Sequence, residues 1–278
     1  MYSADSLDRL RAVIERWRQD GDGVAFVPTM GNLHDGHLAL LAEARRRAKR
    51  TVASIFVNPT QFGQGEDYAS YPRTRQADLA ALESAGCDLV WLPEVEQMYP
   101  LEQPFMLKVP DSLSDRLCGA SRPGHFDGVA SVVLRLFSQV RPDVAVFGEK
   151  DFQQLVIIRR MVEDLSLGIR IAGLPTVREA DGLAMSSRNA YLDEDERSRA
   201  PVLYRVLIEM AGSLANGADF KALRAASLAK LEAAGFRPDY LEWRSAGHLA
   251  EVQPGEPSRL FAAAWLGKAR LIDNVPVD

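Results

Sequence analysis

Cysteine is nearly missing from this chain: there are two in 278 residues, Cys87 and Cys118, far apart and in no redox or metal-binding spacing. That excludes a disulfide framework and fits a reducing compartment. Histidine is almost as scarce, with four copies. No apolar run is long enough to cross a bilayer. The opening segment MYSADSLDRLRAVIERWRQDGDG has no apolar signal core and reads as an amphipathic helix capped by Ser3 or Asp5. A soluble, cytoplasmic protein is expected. Net positive charge is missing too: 33 Lys and Arg against 38 Asp and Glu leave −5 at pH 7, which argues against a non-specific grip on nucleic acid. The basic run EARRRAKR (43–50) falls late in a helical pattern, where cations complement the helix C-terminus. Repeats and low-complexity segments are also lacking. What is left, 47% hydrophobic and 26% charged, is ordinary globular composition with room for one or two domains.

Short apolar runs alternate with helical periodicity through the first two-thirds of the chain. VAFVP (24–28), VASIFVNP (52–59), DLVWLP (88–93), DVAVFG (143–148) and IRIAGLP (169–175) read as strands; helical patterns fall near 37–49, 74–86 and 126–140 and after residue 151. Strands that are apolar throughout and separated by helices predict an α/β fold: a Rossmann-like, doubly wound parallel sheet. After residue 176 the texture changes to helices at 193–215 and 219–234, followed by the strands DYLEWRS, RLFAAAWL and KARLIDNV. That pattern predicts a smaller α+β domain, with a first domain of residues 1–176 and a second of 177–278.

Several strand ends carry polar groups, and ligands of open α/β sheets sit at the carboxyl ends of the strands. In VPTMGNLHDGH (27–37) a strand runs through Gly31 and Gly36 into a helix start bearing His34 and His37. Three readings are open for this pair: a metal site, although no third ligand stands at a recognisable spacing; a histidine pair without function; or two imidazoles that join a helix N-terminus in stabilising charge on a phosphate ester. GLAMSSRN (182–189) places two hydroxyls beside Arg188, which suits phosphate oxygens and equally suits the cap of a following helix. FGEKDFQQ (147–154) offers Lys150 to a phosphate, Asp151 to ribose hydroxyls, and the neutral Gln153 and Gln154 to hydroxyls or carboxylates. FVNPTQF (56–62) adds Asn58, explicable as turn chemistry, and Gln61, which is not.

The H-x-G-H pattern resembles the HIGH motif of the nucleotidyl-transferase superfamily, whose members attack the α-phosphate of a nucleoside triphosphate. PTMGNLHDGH, IFVNPTQF, YPRT, GASRPGHFDGV, FGEKDFQQ, DGLAMSSRN and AAWLGKARLIDN, in that order over about residues 24–275, resemble the pantothenate synthetase (pantoate–β-alanine ligase) family. The resemblance implies ATP-dependent condensation of (R)-pantoate with β-alanine through a pantoyl adenylate, releasing AMP and pyrophosphate. A C-terminal lid domain, a homodimer and Mg²⁺ are implied with it. The implied ATP site comprises Met30, Gly31, Asn32, Leu33, His34, Asp35, Gly36 and His37, then Gly148, Glu149, Lys150 and Asp151, then Val177, Met185, Ser186, Ser187 and Arg188. His37, His34, Lys150 and Arg188 are the implied catalytic groups. Gln61 would touch pantoate and β-alanine, Gln154 would hold pantoate, and Tyr71 would lie near the cleft. Some family members carry adjacent carboxylates after YPRT; this chain has Ala77-Asp78, which leaves Asp78 as the metal contact. Two rival readings are a nucleotidyl transferase acting on a phosphate-bearing acceptor, which would want basic residues where this chain has glutamines, and a catalytically silent nucleotide-binding regulator.

Overall fold

A computed structural model describes residues 1–63, 65–66 and 68–277. The chain divides into two compact units: Met1–Pro110, Arg122–Glu149 and Ile157–Pro175 form the first, while Asp111–Ser121, Lys150–Val156 and the chain from Thr176 onward form the second.

In chain order the first part supplies β1 (Tyr2–Ala4), α1 (Leu7–Gln19), β2 (Val24–Thr29), α2 (Asp35–Arg47), β3 (Arg50–Ile55), α3 (Arg75–Ser84), β4 (Leu89–Trp91) and α4 (Val95–Met98). Next come α5 (Asp111–Ser114), α6 (Cys118–Ser121), α7 (His125–Val140), β5 (Val144–Gly148), α8 (Phe152–Asp164) and β6 (Arg170–Leu174). The six strands form one parallel sheet in the order β1-β4-β3-β2-β5-β6. From β2 the chain winds outward through β3 to β4, then returns to the other side of β2 to lay down β5 and β6. The winding therefore reverses at the β2–β5 pair, where Ala25 faces Val144 and Phe26 faces Ala145. A crevice forms at such a reversal because successive connections leave in opposite directions.

The apolar run of β2 has a use on each face. Ala25 and Val27 pack with Ala44 of α2 and with Val144 and Val146 of β5. Phe26 points the other way and meets Phe137 of α7 edge-on, ring centroids 6.4 Å apart. Fully burying one such phenylalanine stabilises the fold by about 1.5–3 kcal/mol. At the chain start the structure corrects the sequence expectation. Residues 2–4 form an edge strand parallel to β4, so the helix cap moves to Ser6, whose Oγ accepts the Arg9 amide at 3.4 Å. The basic run behaves as expected: Arg46 and Arg47 pair with Glu43 on the last turns of α2. Cys87 is buried, which pushes its thiol up to about 11, and both cysteines are free.

The second unit continues with α9 (Glu194–Arg199), α10 (Val202–Ala215), α11 (Phe220–Ala233), β7 (Arg237–Ser245), β8 (Ser258–Leu266) and β9 (Ala269–Val277). The helix expected over 193–215 is two helices, because Pro201 has no N–H to continue the ladder. Asp193 caps the first, accepting the Glu196 amide at 2.8 Å. The three strands pair antiparallel in the order β7-β8-β9, and Leu203, Leu207 and Met210 of α10 pack with Leu260, Ala262 and Leu271 of the sheet. Among the described residues no helix is long and apolar enough to cross a membrane.

Two glycines test this packing with opposite signs. A Cβ at Gly128 of α7 would lie 2.2 Å from the carbonyl oxygen of Thr60, so Gly128→Ala must push the helix off the turn at residues 59–61. Urea unfolding should show a loss of roughly 1–3 kcal/mol. At Gly212 of α10 an added Cβ would meet nothing within 4 Å, and Gly212→Ala should stabilise by about 0.5–1 kcal/mol.

Candidate active site

The first unit's polar cluster begins where β2 ends. Gly31 (φ +82°) and Asn32 (φ +50°) are successive left-handed residues, and this turn aims the Asn32 and Leu33 amides at one point. Asp78 of α3, 3% exposed, fills that point. Its Oδ2 accepts from Asn32 N at 3.0 Å and its Oδ1 from Leu33 N at 2.8 Å, while the Thr74 hydroxyl lies 3.2 Å from both oxygens. Backbone concavities of this kind bind anions, and here the anion is part of the protein. Gly31 must stay bare, because a Cβ would sit 3.0 Å from Asp78 Oδ2 and from Ile55.

The turn delivers the chain to α2, whose first turn is capped by histidines. His34 is the N-cap; its Nδ1 accepts the Gly36 amide at 3.1 Å, and the His34 amide donates in return to His37 Nδ1 at 3.2 Å. The two rings lie 4.1 Å apart between centroids, tilted by 44°. An imidazole that accepts at Nδ1 carries its proton at Nε2, so both rings are fixed as Nε2–H donors at the positive end of a helix dipole. The motif needs two histidines three positions apart because each closes the other's half of a capping box.

Beside this turn, Gln61 is held from three directions. Its Nε2 donates to Met30 Sδ at 2.9 Å, its Oε1 accepts from Asn58 Nδ2 at 3.1 Å, and its carbonyl oxygen accepts from His125 Nδ1 at 2.7 Å. Asn58, 1% exposed, does more than make a turn: its Oδ1 also accepts from the Tyr99 hydroxyl at 2.7 Å. Burial pushes that hydroxyl's pKa up, which keeps it a donor. Arg122 NH1 lies 2.9 Å from His125 Nε2, and the same guanidinium bonds both Glu66 oxygens at 2.6–2.7 Å. Burial alone would raise the Glu66 carboxyl, but the Arg122 bonds and charge outweigh it and hold the group below its ordinary value. Tyr71 is buried, edge-on to Phe62 at 6.0 Å. Tyr99, Glu66, Arg122 and His125 were not assigned roles from sequence, although the last two lie in the GASRPGHFDGV motif. Gly148 ends β5, the strand adjacent to β2, and Glu149 follows it in a short helical turn.

The second unit holds the other cluster. Lys150, Ala184, Ser186, Asn189, Tyr204 and Asp273 are among the residues around a small recess whose enclosed volume is about 10 Å³. Lys150 Nζ lies 3.7 Å from Asp151 Oδ2. Val177 and Met185 are joined by a backbone bond of 3.0 Å across a tight turn, and Ser186 caps the short helical turn that carries Ser187 and Arg188, accepting the Arg188 amide at 3.3 Å. Ser186 is thus both the cap and a lining group. Gln153 and Gln154 separate by role. Gln153 is buried and committed to the scaffold, taking the Cys118 amide at 3.0 Å and donating to the Leu113 and Arg116 carbonyls at 2.9 and 2.8 Å. Gln154 is half-buried on α8.

Asp78, the expected metal contact, accepts one backbone amide on each carboxylate oxygen. No cluster of three or more His, Cys, Asp or Glu residues able to hold a metal occurs among the described residues.

A doubly wound parallel sheet with an H-x-G-H helix start at its reversal point defines a nucleotide-handling α/β enzyme class. Within that class the assignment is specific: the chain belongs to the Pantoate-beta-alanine ligase family, whose sequence model matches residues 3–276. It is 54% identical over 278 residues to the pantothenate synthetase of Shewanella amazonensis, covering 99% of each chain. It is 55% identical over 281 residues to that of Thioalkalivibrio sulfidiphilus, covering 100% of this chain and 98% of the relative. Among solved structures, the pantothenate synthetase of Thermus thermophilus superposes with a TM-score of 0.93 at 46% identity, covering 100% of this chain and 99% of that one. The Francisella tularensis pantoate-beta-alanine ligase, solved with beta-gamma ATP and beta-alanine, gives 0.84 at 32% identity over 99% and 97%.

The Asp78 plug has a direct readout. Asp78→Ala leaves the Asn32 and Leu33 amides without their acceptor, at a cost of roughly 1.5–3 kcal/mol for bonds to a charged group. Thermal unfolding should register that loss, and hydrogen exchange should speed up selectively at those two amides relative to β2.

Proposed function

We propose that the chain ligates pantoate to β-alanine through a pantoyl adenylate. ATP-dependent pantoate–β-alanine ligation is the activity of its family; the adenylate and the residue roles are our reading. One observation carries it: the reciprocal histidine cap at the sheet's reversal point, which orients two imidazoles at a helix N-terminus. That arrangement suits charge developing on a phosphate oxygen.

In the first step a pantoate carboxylate oxygen attacks the α-phosphorus. The bond from that phosphorus to the bridging oxygen breaks, and pyrophosphate leaves with the electron pair. Met30 to His37, Gly148 to Asp151, Val177 and Met185 to Arg188 bind ATP in this reading. His34 and His37 stabilise the α-phosphate, while Lys150, Ser186, Ser187 and Arg188 take the charge of the leaving group. Gln61 and Gln154 hold pantoate. Being neutral, they orient the carboxylate without blunting its nucleophilicity as a cationic clamp would. In the second step the β-alanine amine, beside Gln61, attacks the acyl carbon; AMP leaves and the amine loses its proton. Mg²⁺ enters as part of the substrate, carried on the triphosphate, as suits an ion that keeps most of its water and binds few protein ligands. Residues 1–176 serve pantoate and nucleotide in this division, and residues 177–278 supply the Ser-Ser-Arg turn and serve as the lid. A cytoplasmic homodimer completes the proposal.

Two experiments test it. With pantoate present and β-alanine absent, labelled pyrophosphate should exchange into ATP, and ¹⁸O from the pantoate carboxylate should appear in AMP once β-alanine is added. Label in inorganic phosphate instead would mean a phosphoryl-transfer route and remove the adenylate. His37→Ala should slow the exchange by roughly 10²–10³-fold while the protein stays folded. For the assembly, light scattering at micromolar concentration should give twice the 30.7 kDa chain mass; a particle of one chain would refute the dimer.

A further inference from the structure

The late motif AAWLGKARLIDN has no role in the chemistry above, yet its last two residues are among the most buried polar groups of the second unit: Asp273 is 4% exposed and Asn274 is 2%. Both lie on β9. Burying an amide and a carboxylate side by side costs stability unless every polar atom is engaged, so their bonds show what the sheet is built to hold.

Asn274 Nδ2 donates to the backbone carbonyl of Lys150 at 3.0 Å, and its Oδ1 accepts from Arg259 Nε at 2.8 Å. Arg259 in turn stacks over the Phe152 ring at 4.2 Å. The segment 150–152 is therefore gripped by β8 and β9 at two points.

Asp273 reaches the other phosphate-directed segment. Its carboxylate takes a two-point bond from Arg178, 2.6 Å from NH1 and 2.9 Å from NH2, and its Oδ1 also accepts the Asn274 amide at 2.8 Å. The same Arg178 NH1 donates to the Gly182 carbonyl at 3.0 Å, closing the turn that leads into Met185–Arg188. Its guanidinium lies 3.6 Å over the Tyr204 ring. Gly182 has φ +95°, and a Cβ there would strike Tyr204 at 2.6 Å, so the turn has one seat. Asp273 lines the same recess as Lys150 and Ser186. An unbalanced carboxylate there would repel a phosphate, and the Arg178 fork cancels its charge.

We infer that Asp273 and Asn274 are positioning residues that fix Lys150 and the Ser186–Arg188 turn in one register, so that both cationic groups meet the leaving pyrophosphate. The inference rests on the proposed action of Lys150 and Arg188 on ATP phosphates. It predicts selectivity: loss of the pair harms adenylate formation and spares the attack of β-alanine on adenylate already made.

Asn274→Asp tests this in the full chain, because it removes the donor to Lys150 without changing volume and keeps the oxygen that Arg259 holds. Two rates are measured on one preparation: pantoate-dependent exchange of labelled pyrophosphate into ATP, and pantothenate formation from supplied pantoyl adenylate and β-alanine. Exchange should fall roughly ten- to hundredfold, the scale of a misplacement of about 1 Å, and the second rate should stay within about twofold. Asp273→Asn should show the same split. Parallel loss of both rates, with or without loss of the fold, makes the pair a stability element and overturns the inference, as does unchanged exchange. Lys150→Ala is run alongside. If it slows both rates equally, the assignment of Lys150 to the phosphates fails and the inference falls with it; if Lys150→Ala is selective and Asn274→Asp is not, the inference alone fails.

Discussion

The Asn32, Leu33, His34 and Gly36 amides take side-chain acceptors, and the turn off β2 is arranged around satisfying them. Two left-handed residues turn the chain off β2 and expose the Asn32 and Leu33 amides, which Asp78 accepts from α3. The next donors go to the imidazoles of His34 and His37. Each acceptor committed to structure fixes something the chemistry uses. Asp78 holds the turn before the helix, and the capping bonds at Nδ1 fix each histidine in one tautomer. A helix start left to water would have the same dipole and no defined donors.

The same economy governs the neutral residues near this turn. Gln61 is oriented through both its amide ends and its own carbonyl, by Asn58, Met30 and His125. His125 is backed by Arg122, which donates to the Gln61 carbonyl at 3.4 Å and is itself matched by the Glu66 carboxylate. In the second unit Arg178 and Asp273 are matched in the same way. Buried pairs of this kind add little net stability, since desolvation offsets attraction. Their effect is geometric: each holds a turn in one place while adding no net charge beside it.

Much of this was legible in the chain itself. Alternating apolar runs and helical periods pointed to the parallel sheet, because a strand covered on both faces must be apolar throughout, as Val24 to Val27 are. His34 and His37 stood out because histidine is rare and the pair sits between a strand and a helix. Asn58 and Gln153 show where reading stops. Both are polar residues near strand ends, and in both the side chain faces inward to serve the scaffold. Gln153 and Gln154 are neighbours with the same chemistry, and the rotation of about 100° per residue along a helix decides which of them is buried.

The sequence alone therefore determined the class of fold, the histidine pair, the Ser-Ser-Arg turn and the family, since these are local patterns or strings of residues in fixed order. Tertiary structure decided the rest. It assigned Asp78 to two amides 45 and 46 positions away, Glu66 to Arg122, Asp273 to Arg178 and Asn274 to the Lys150 carbonyl. Those partners are brought together by strand register and helix packing, so nothing in their sequence spacing marks them. A side chain's type fixes which bonds it can make, and only the folded chain fixes which one lies within about 3 Å.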